Sequence, residues 1–103
     1  MVTFCPKEMQ VMIPTKDQGI HLEGRFQFKD SDRVAVIAHP YPPLGGDFDN
    51  HVVRQLEETI SNQHNFSTLC INLRGAGKSQ GRTSWTGSDE VDDIKTCMRQ
   101  NVF

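Results

Sequence analysis

The sequence predicts an α/β fold on a mostly parallel sheet, with elements in the order β-β-β-α-β-α. Three observations predict it. Val34-Ala35-Val36-Ile37-Ala38 is an unbroken apolar run, short and β-branched, of the kind that forms strands covered on both faces. A second strand of the same type is expected from Phe66 to Leu73. Between them, Val52, Val53, Leu56 and Ile60 recur at helical spacing. The resulting β-α-β unit requires a right-handed crossover to a parallel neighbour.

The first strand is expected from Met9 to Pro14, ended by Pro14 and the polar run Thr15 to Gly19. Ile20, Leu22, Gly24, Phe26 and Phe28 then alternate with His21, Glu23, Arg25 and Gln27. That period of two marks a half-buried strand, and the short polar connection makes the first two strands an antiparallel hairpin. Lys29 to Arg33 is a polar turn leading into Val34–Ala38. Asn50 is the expected N-cap of a helix from His51 to about Ser61, with Arg54, Glu57 and Glu58 on its outer face. Ser88 is the expected cap of a last helix. Asp89, Glu90, Asp92 and Asp93 fill its first turn, and Lys95 and Arg99 come later, as the helix dipole favours. Its apolar stripe reads as Val91, Ile94 and Met98, flanked by Cys97.

With 103 residues the chain is sized for one domain. Its 11 basic and 13 acidic residues leave no basic surplus to suggest nucleic acid or an anionic membrane as partner. No apolar run approaches the roughly 18 residues that span a bilayer, and Met1 to Gln10 lacks the features of a secretory signal. Cys5, Cys70 and Cys97 are odd in number and form no C-x-x-C pair, so they read as reduced thiols of a cytoplasmic protein. The four histidines show no metal-ligand spacing, and neither a metal nor an organic cofactor is expected.

In an open α/β sheet the chemistry sits at the carboxyl ends of the strands. Two loops leave such ends. The first is His39 to Gly46, with Pro40, Pro42 and Pro43. The prolines have no N–H, so the free donors near the bend are those of Tyr41, Leu44, Gly45 and Gly46. Few, fixed donors suit an oxyanion site, because they need no reorganisation as charge develops. The plainer reading is a loop that turns the chain, with His39 hydrogen-bonding its backbone. The second loop, Arg74 to Gly87, contains Gly77-Lys78-Ser79-Gln80-Gly81, which spells G-x-S-x-G. A nucleophile elbow needs a strand directly before the serine and a helix directly after. Ser79 has neither, so it reads as a loop serine rather than a nucleophile. Gly75-Ala76-Gly77-Lys78-Ser79 also looks like the end of a Walker A loop, but Asn72 stands where that motif needs its first glycine. A phosphate-binding loop is the weakest of the readings.

Val34 to Gly46 (VAVIAHPYPPLGG) and Cys70 to Gly81 (CINLRGAGKSQG), separated by one amphipathic helix, together resemble the α/β-hydrolase superfamily, in particular its dienelactone-hydrolase-like and esterase-like branches. The resemblance implies that these are the third strand with its oxyanion loop and the fourth strand with its glycine-rich loop. It assigns the Tyr41 N–H as one oxyanion donor, with His39, Gly45 and Gly46 supporting the loop. It places the nucleophile elbow after a fifth strand beside the third, and the fourth strand between the second and third.

The resulting expectation is that residues 1–103 form the first part of such a domain, cut before the fifth strand. The catalytic serine, acid and histidine segments would all be absent. The parent activity implied is hydrolysis of an ester or similar acyl substrate, with this chain inactive alone. The rival expectation is a non-enzymatic module. In it, the bare edge of Val34–Ala38 pairs with a second copy or with a strand from another protein.

Overall fold

The computed structural model of the chain describes residues 8–17, 19–39, 47–81 and 87–99. They form strands β1 (Glu8–Pro14), β2 (His21–Gln27) and β3 (Val34–Ala38), helix α1 (His51–His64), strand β4 (Ser67–Ile71) and helix α2 (Ser88–Arg99). The predicted order is therefore found. The four strands make one mixed sheet in the order β1-β2-β4-β3. β1 and β2 form the expected antiparallel hairpin, with Val11 opposite Gly24. β2 runs antiparallel to β4, and β3 runs parallel to β4 with Val36 opposite Leu69.

Each face of the sheet carries one helix. On one face Ile13, Leu22, Phe26, Leu69, Ile71 and Leu73 form a core with Cys97 of α2. On the other, Ile37 and Cys70 pack with Phe48 and with Val53 of α1. β4 is buried over its whole length, as expected of a strand between two neighbours under two helices. β3, at the edge, is only partly covered, and Val34 and Ala38 are exposed.

Four sequence expectations are corrected. β4 ends at Ile71 rather than Leu73, because Asn72 and Leu73 already turn into the next loop. α1 runs on to His64, where Asn65 adopts the left-handed conformation (φ 57°) and closes the helix with its N–H on the Ile60 carbonyl. β2 is not half-polar: Glu23 and Arg25 are as buried as Leu22 and Phe26, whereas Phe28 is exposed. Both helices are also rotated from the faces their apolar residues suggest. α1 buries Val53, Glu57 and Ser61 while Val52 and Leu56 are exposed. α2 buries Glu90, Asp93 and Cys97 while Val91 and Met98 are exposed.

The rotations have one electrostatic cause. Arg25, in the sheet, donates from Nε and Nη2 to the two Glu57 carboxylate oxygens at 3.1 and 3.0 Å. The same guanidinium reaches Asp49 and the Phe48 carbonyl and lies 4.4 Å from the Phe48 ring centre. Arg74, just past β4, grips Asp93 of α2 in the same forked way, both bonds 2.7 Å, with Asp17 and Asp89 beside it. A planar fork on a carboxylate fixes orientation as well as distance. Burial lowers the Arg25 pKa but its bonds to Glu57 outweigh that, and Asp93 raises that of Arg74, so both stay cationic. Leaving either cation buried without its carboxylate would cost more than exposing a valine or leucine, so the carboxylates take the inward positions.

Candidate active-site end of the sheet

The carboxyl ends of β3 and β4 lie side by side, because the two strands are parallel and in register up to Ala38 and Ile71. The loops that leave them are joined by buried polar side chains. His39 follows β3 and is buried; its Nε2 accepts the Leu73 N–H at 2.8 Å. That bond places the ring proton on Nδ1 and removes Nε2 as a proton acceptor for any substrate. At the far end of the first loop the Phe48 N–H donates to Asn72 Oδ1 at 2.7 Å. Both ends of the first loop are thus tied to the residues just after β4. Tyr41, Gly45 and Gly46 lie between those ties and outside the described residues.

Asn72 also works in the other direction. Its Nδ2 donates to Glu23 Oε1 at 2.8 Å, and its N–H donates to the Glu23 carbonyl. The Glu23 carboxylate accepts further from the Lys78 N–H at 2.8 Å and from Gln10 Nε2 at 2.6 Å. The loop from residue 74 to 81 is therefore folded around an acidic side chain of β2. An external phosphate at the Lys78 N–H would have to displace that carboxylate and be repelled by it.

Ser79 is equally committed. Its hydroxyl donates to the Asn72 carbonyl at 2.6 Å and accepts the Glu23 N–H at 2.8 Å. Gln80 continues the seam, with its N–H on the His21 carbonyl and its side-chain oxygen accepting the His21 N–H. The G-x-S-x-G segment behaves as an irregular extension that closes over β2. Asn72 and Glu23 were missed as organisers of this end. Asn72 had one available signal, a polar residue closing the apolar run of β4. Glu23 had none, since its place on an alternating strand reads as outward.

Among the described residues no group of three His, Cys, Asp or Glu side chains is placed to hold a metal ion, and no helix is long and apolar enough to cross a membrane. The two described thiols are buried and unpaired. Burial, with Glu57 nearby, pushes Cys70 from the ordinary 9.0 up to about 12, and burial with Asp93 nearby pushes Cys97 up to about 11. Neither is a thiolate at neutral pH, so neither is a nucleophile. The folded protein holds these protons more tightly than the unfolded chain, so these two thiols leave stability unchanged below about pH 9 and lower it as pH rises through 9 toward 11 and 12. Iodoacetamide at pH 8 is expected to leave both unmodified in the native protein and to modify both in urea, as read by mass spectrometry.

Similar proteins fit this geometry. Over 94% of its length the chain superposes on an α/β serine hydrolase homologue from Coxiella burnetii, with a TM-score of 0.78 and 29% identity, and it covers 46% of that structure. It superposes on an esterase from Pyrococcus furiosus with a TM-score of 0.79 over 91% of the chain, at 23% identity, covering 34% of that structure. In sequence it is 32% identical over 79 residues to an uncharacterized protein of Rickettsia prowazekii, of which it spans 32%. No protein-family model matches. Over the part of these structures that it covers, the chain has the α/β-hydrolase fold. Its resemblance there is to the serine hydrolases and esterases. The chain spans about a third of that curated relative and less than half of the two structures.

Proposed function

We propose that this chain supplies the oxyanion side of a serine hydrolase that cleaves ester or similar acyl bonds, and that it has no turnover by itself. The observation that carries the reading is the state of Ser79. Its hydroxyl proton is spent on the Asn72 carbonyl and its oxygen accepts a backbone N–H, so it has no bond to a histidine base. A serine nucleophile needs such a base to take its proton. No second G-x-S-x-G occurs in the 103 residues.

The role left to this part is electrostatic. In this reading the Tyr41 N–H meets the carbonyl oxygen of the acyl substrate as negative charge develops on it. The ties of His39 to Leu73 and of Phe48 to Asn72 hold the ends of that loop. The reduced thiols favour a cytoplasmic setting.

Hydrolysis of p-nitrophenyl acetate by the wild-type chain and by Ser79→Ala tests the reading. Both are expected to match the buffer rate. Turnover in the wild type that disappears in Ser79→Ala would overturn it.

A further inference from the structure

Phe48, at the far end of the first loop, is held by three contacts. Its N–H donates to Asn72 Oδ1 at 2.7 Å, its carbonyl accepts from Arg25 Nη2 at 2.8 Å, and the Arg25 guanidinium lies 4.4 Å from its ring centre. Both polar bonds are buried. Two of the three contacts come from Arg25, which belongs to β2 and to neither of the two loops.

The bonds of Arg25 divide into two sets. One from Nε and one from Nη2 take the two Glu57 oxygens, which is all that a structural pair between β2 and α1 requires. The others run from Nη2 to the Phe48 carbonyl and from Nη1 to Asp49 Oδ1 at 3.0 Å. They hold the segment that joins the first loop to Asn50, the cap of α1. The guanidinium is planar and rigid, so seating two of its nitrogens on buried Glu57 fixes where the remaining donors point.

The geometry points to Arg25 as a positioning residue for the oxyanion loop, acting through Phe48 to hold the loop's far end against β2 and α1. This rests on the reading that the loop carries an oxyanion donor. Such a donor stabilises charge only if it is in place before the charge develops. Between His39 and Phe48 the sequence has Pro40, Pro42 and Pro43. Each fixes one φ and supplies no N–H, so few hydrogen bonds of its own are available to set the segment, and its two ends set it instead. The near end is tied by His39 to the Leu73 N–H. Without Arg25, Phe48 at the far end keeps one polar anchor, its bond to Asn72.

Tyr41 is the one tyrosine of the chain, so isotope-labelled tyrosine gives a single backbone amide signal in the nuclear magnetic resonance spectrum, from within that segment. The double variant Arg25→Met/Glu57→Leu removes both members of the buried pair and is expected to keep a urea midpoint near that of the wild type. With the fold retained, the Tyr41 signal is expected to shift and broaden, and hydrogen exchange at the Phe48 amide to quicken about tenfold or more. Arg25→Lys keeps a charge beside Glu57 but loses the fork, and is expected to move the Tyr41 signal in the same way. A role confined to seating α1 gives a different result: a Tyr41 signal unchanged in either variant while it remains folded. That result would overturn the proposal. So would unfolding of both variants, which would make Arg25 a residue of stability alone. The readout involves no turnover, so its failure is distinct from failure of the hydrolase reading.

Discussion

Asp93→Ala is expected to destabilise the protein by about 3 kcal/mol and to melt α2. Asp93 is fully buried, and both its oxygens accept bonds from Arg74. Removing it leaves a guanidinium whose side chain is 5% exposed facing two partly exposed carboxylates, Asp17 and Asp89, at 3.0 and 3.7 Å. Those partners hold the loss near the lower end of what breaking a buried ion pair costs. α2 has 12 residues, and its apolar hold on the core is the small buried Cys97 with Ile94 partly buried beside it, so it has little else to hold it. Isolated helices of about that length are marginal in water. Urea denaturation followed at 222 nm checks the magnitude, and loss of helical signal before the main transition checks the location. The double variant Arg74→Met/Asp93→Leu is expected to recover most of the loss, because it removes the stranded charge along with its partner. If Asp93→Ala unfolds at the wild-type urea concentration, Asp17 and Asp89 suffice and the fork on Asp93 is not what seats the helix.

Gly77→Ala should cost roughly 2–4 kcal/mol, from two sources. The residue has φ +52°, where a side chain is strained. An added Cβ would also overlap the Asn72 Nδ2 and stand 2.9 Å from Glu23 Oε1. Asn72 would have to withdraw, and with it go the bond to Glu23 and the anchor on the Phe48 N–H. Gly19→Ala separates the two sources. That residue has φ +86° with nothing within 4 Å of an added Cβ, so only the backbone cost of about 1–2 kcal/mol applies. Equal losses in the two variants would mean that the Asn72 network can shift without penalty.

Most of the architecture was legible in the sequence. Local pattern is enough to find Val34–Ala38, the alternation around Leu22 and Phe26, and the cap at Asn50, whose Oδ1 accepts the Val52 N–H at 2.9 Å. The sheet order follows from the family resemblance. What could not be read are the inward charges. Arg25, Glu57, Arg74 and Asp93 each look like surface residues until a partner distant in sequence is known. Glu57 lies four residues from Val53 and so shares its face, but its charge argues for solvent until Arg25 is placed beneath it. The helix faces assigned from Val52, Leu56, Val91 and Met98 were wrong for the same reason. At the candidate site, the poor context of Ser79 was visible as a missing strand and helix around it. The bonds that occupy it come from β2 and from the end of β4, and no spacing along the chain reports them.

The order β1-β2-β4-β3 has a kinetic consequence. β1 and β2 meet across a short turn, but the middle of the sheet is a marriage of distant segments, with Gly24 opposite Ile71. No local hairpin can nucleate that junction. The chain must first close a large loop, losing its entropy before Leu22, Leu69 and Ile71 can share a core. The slow step of assembly is thus expected to be the search that brings β2 against β4 in the middle of the sheet. Substitutions that stiffen the β1–β2 turn should leave its rate nearly unchanged.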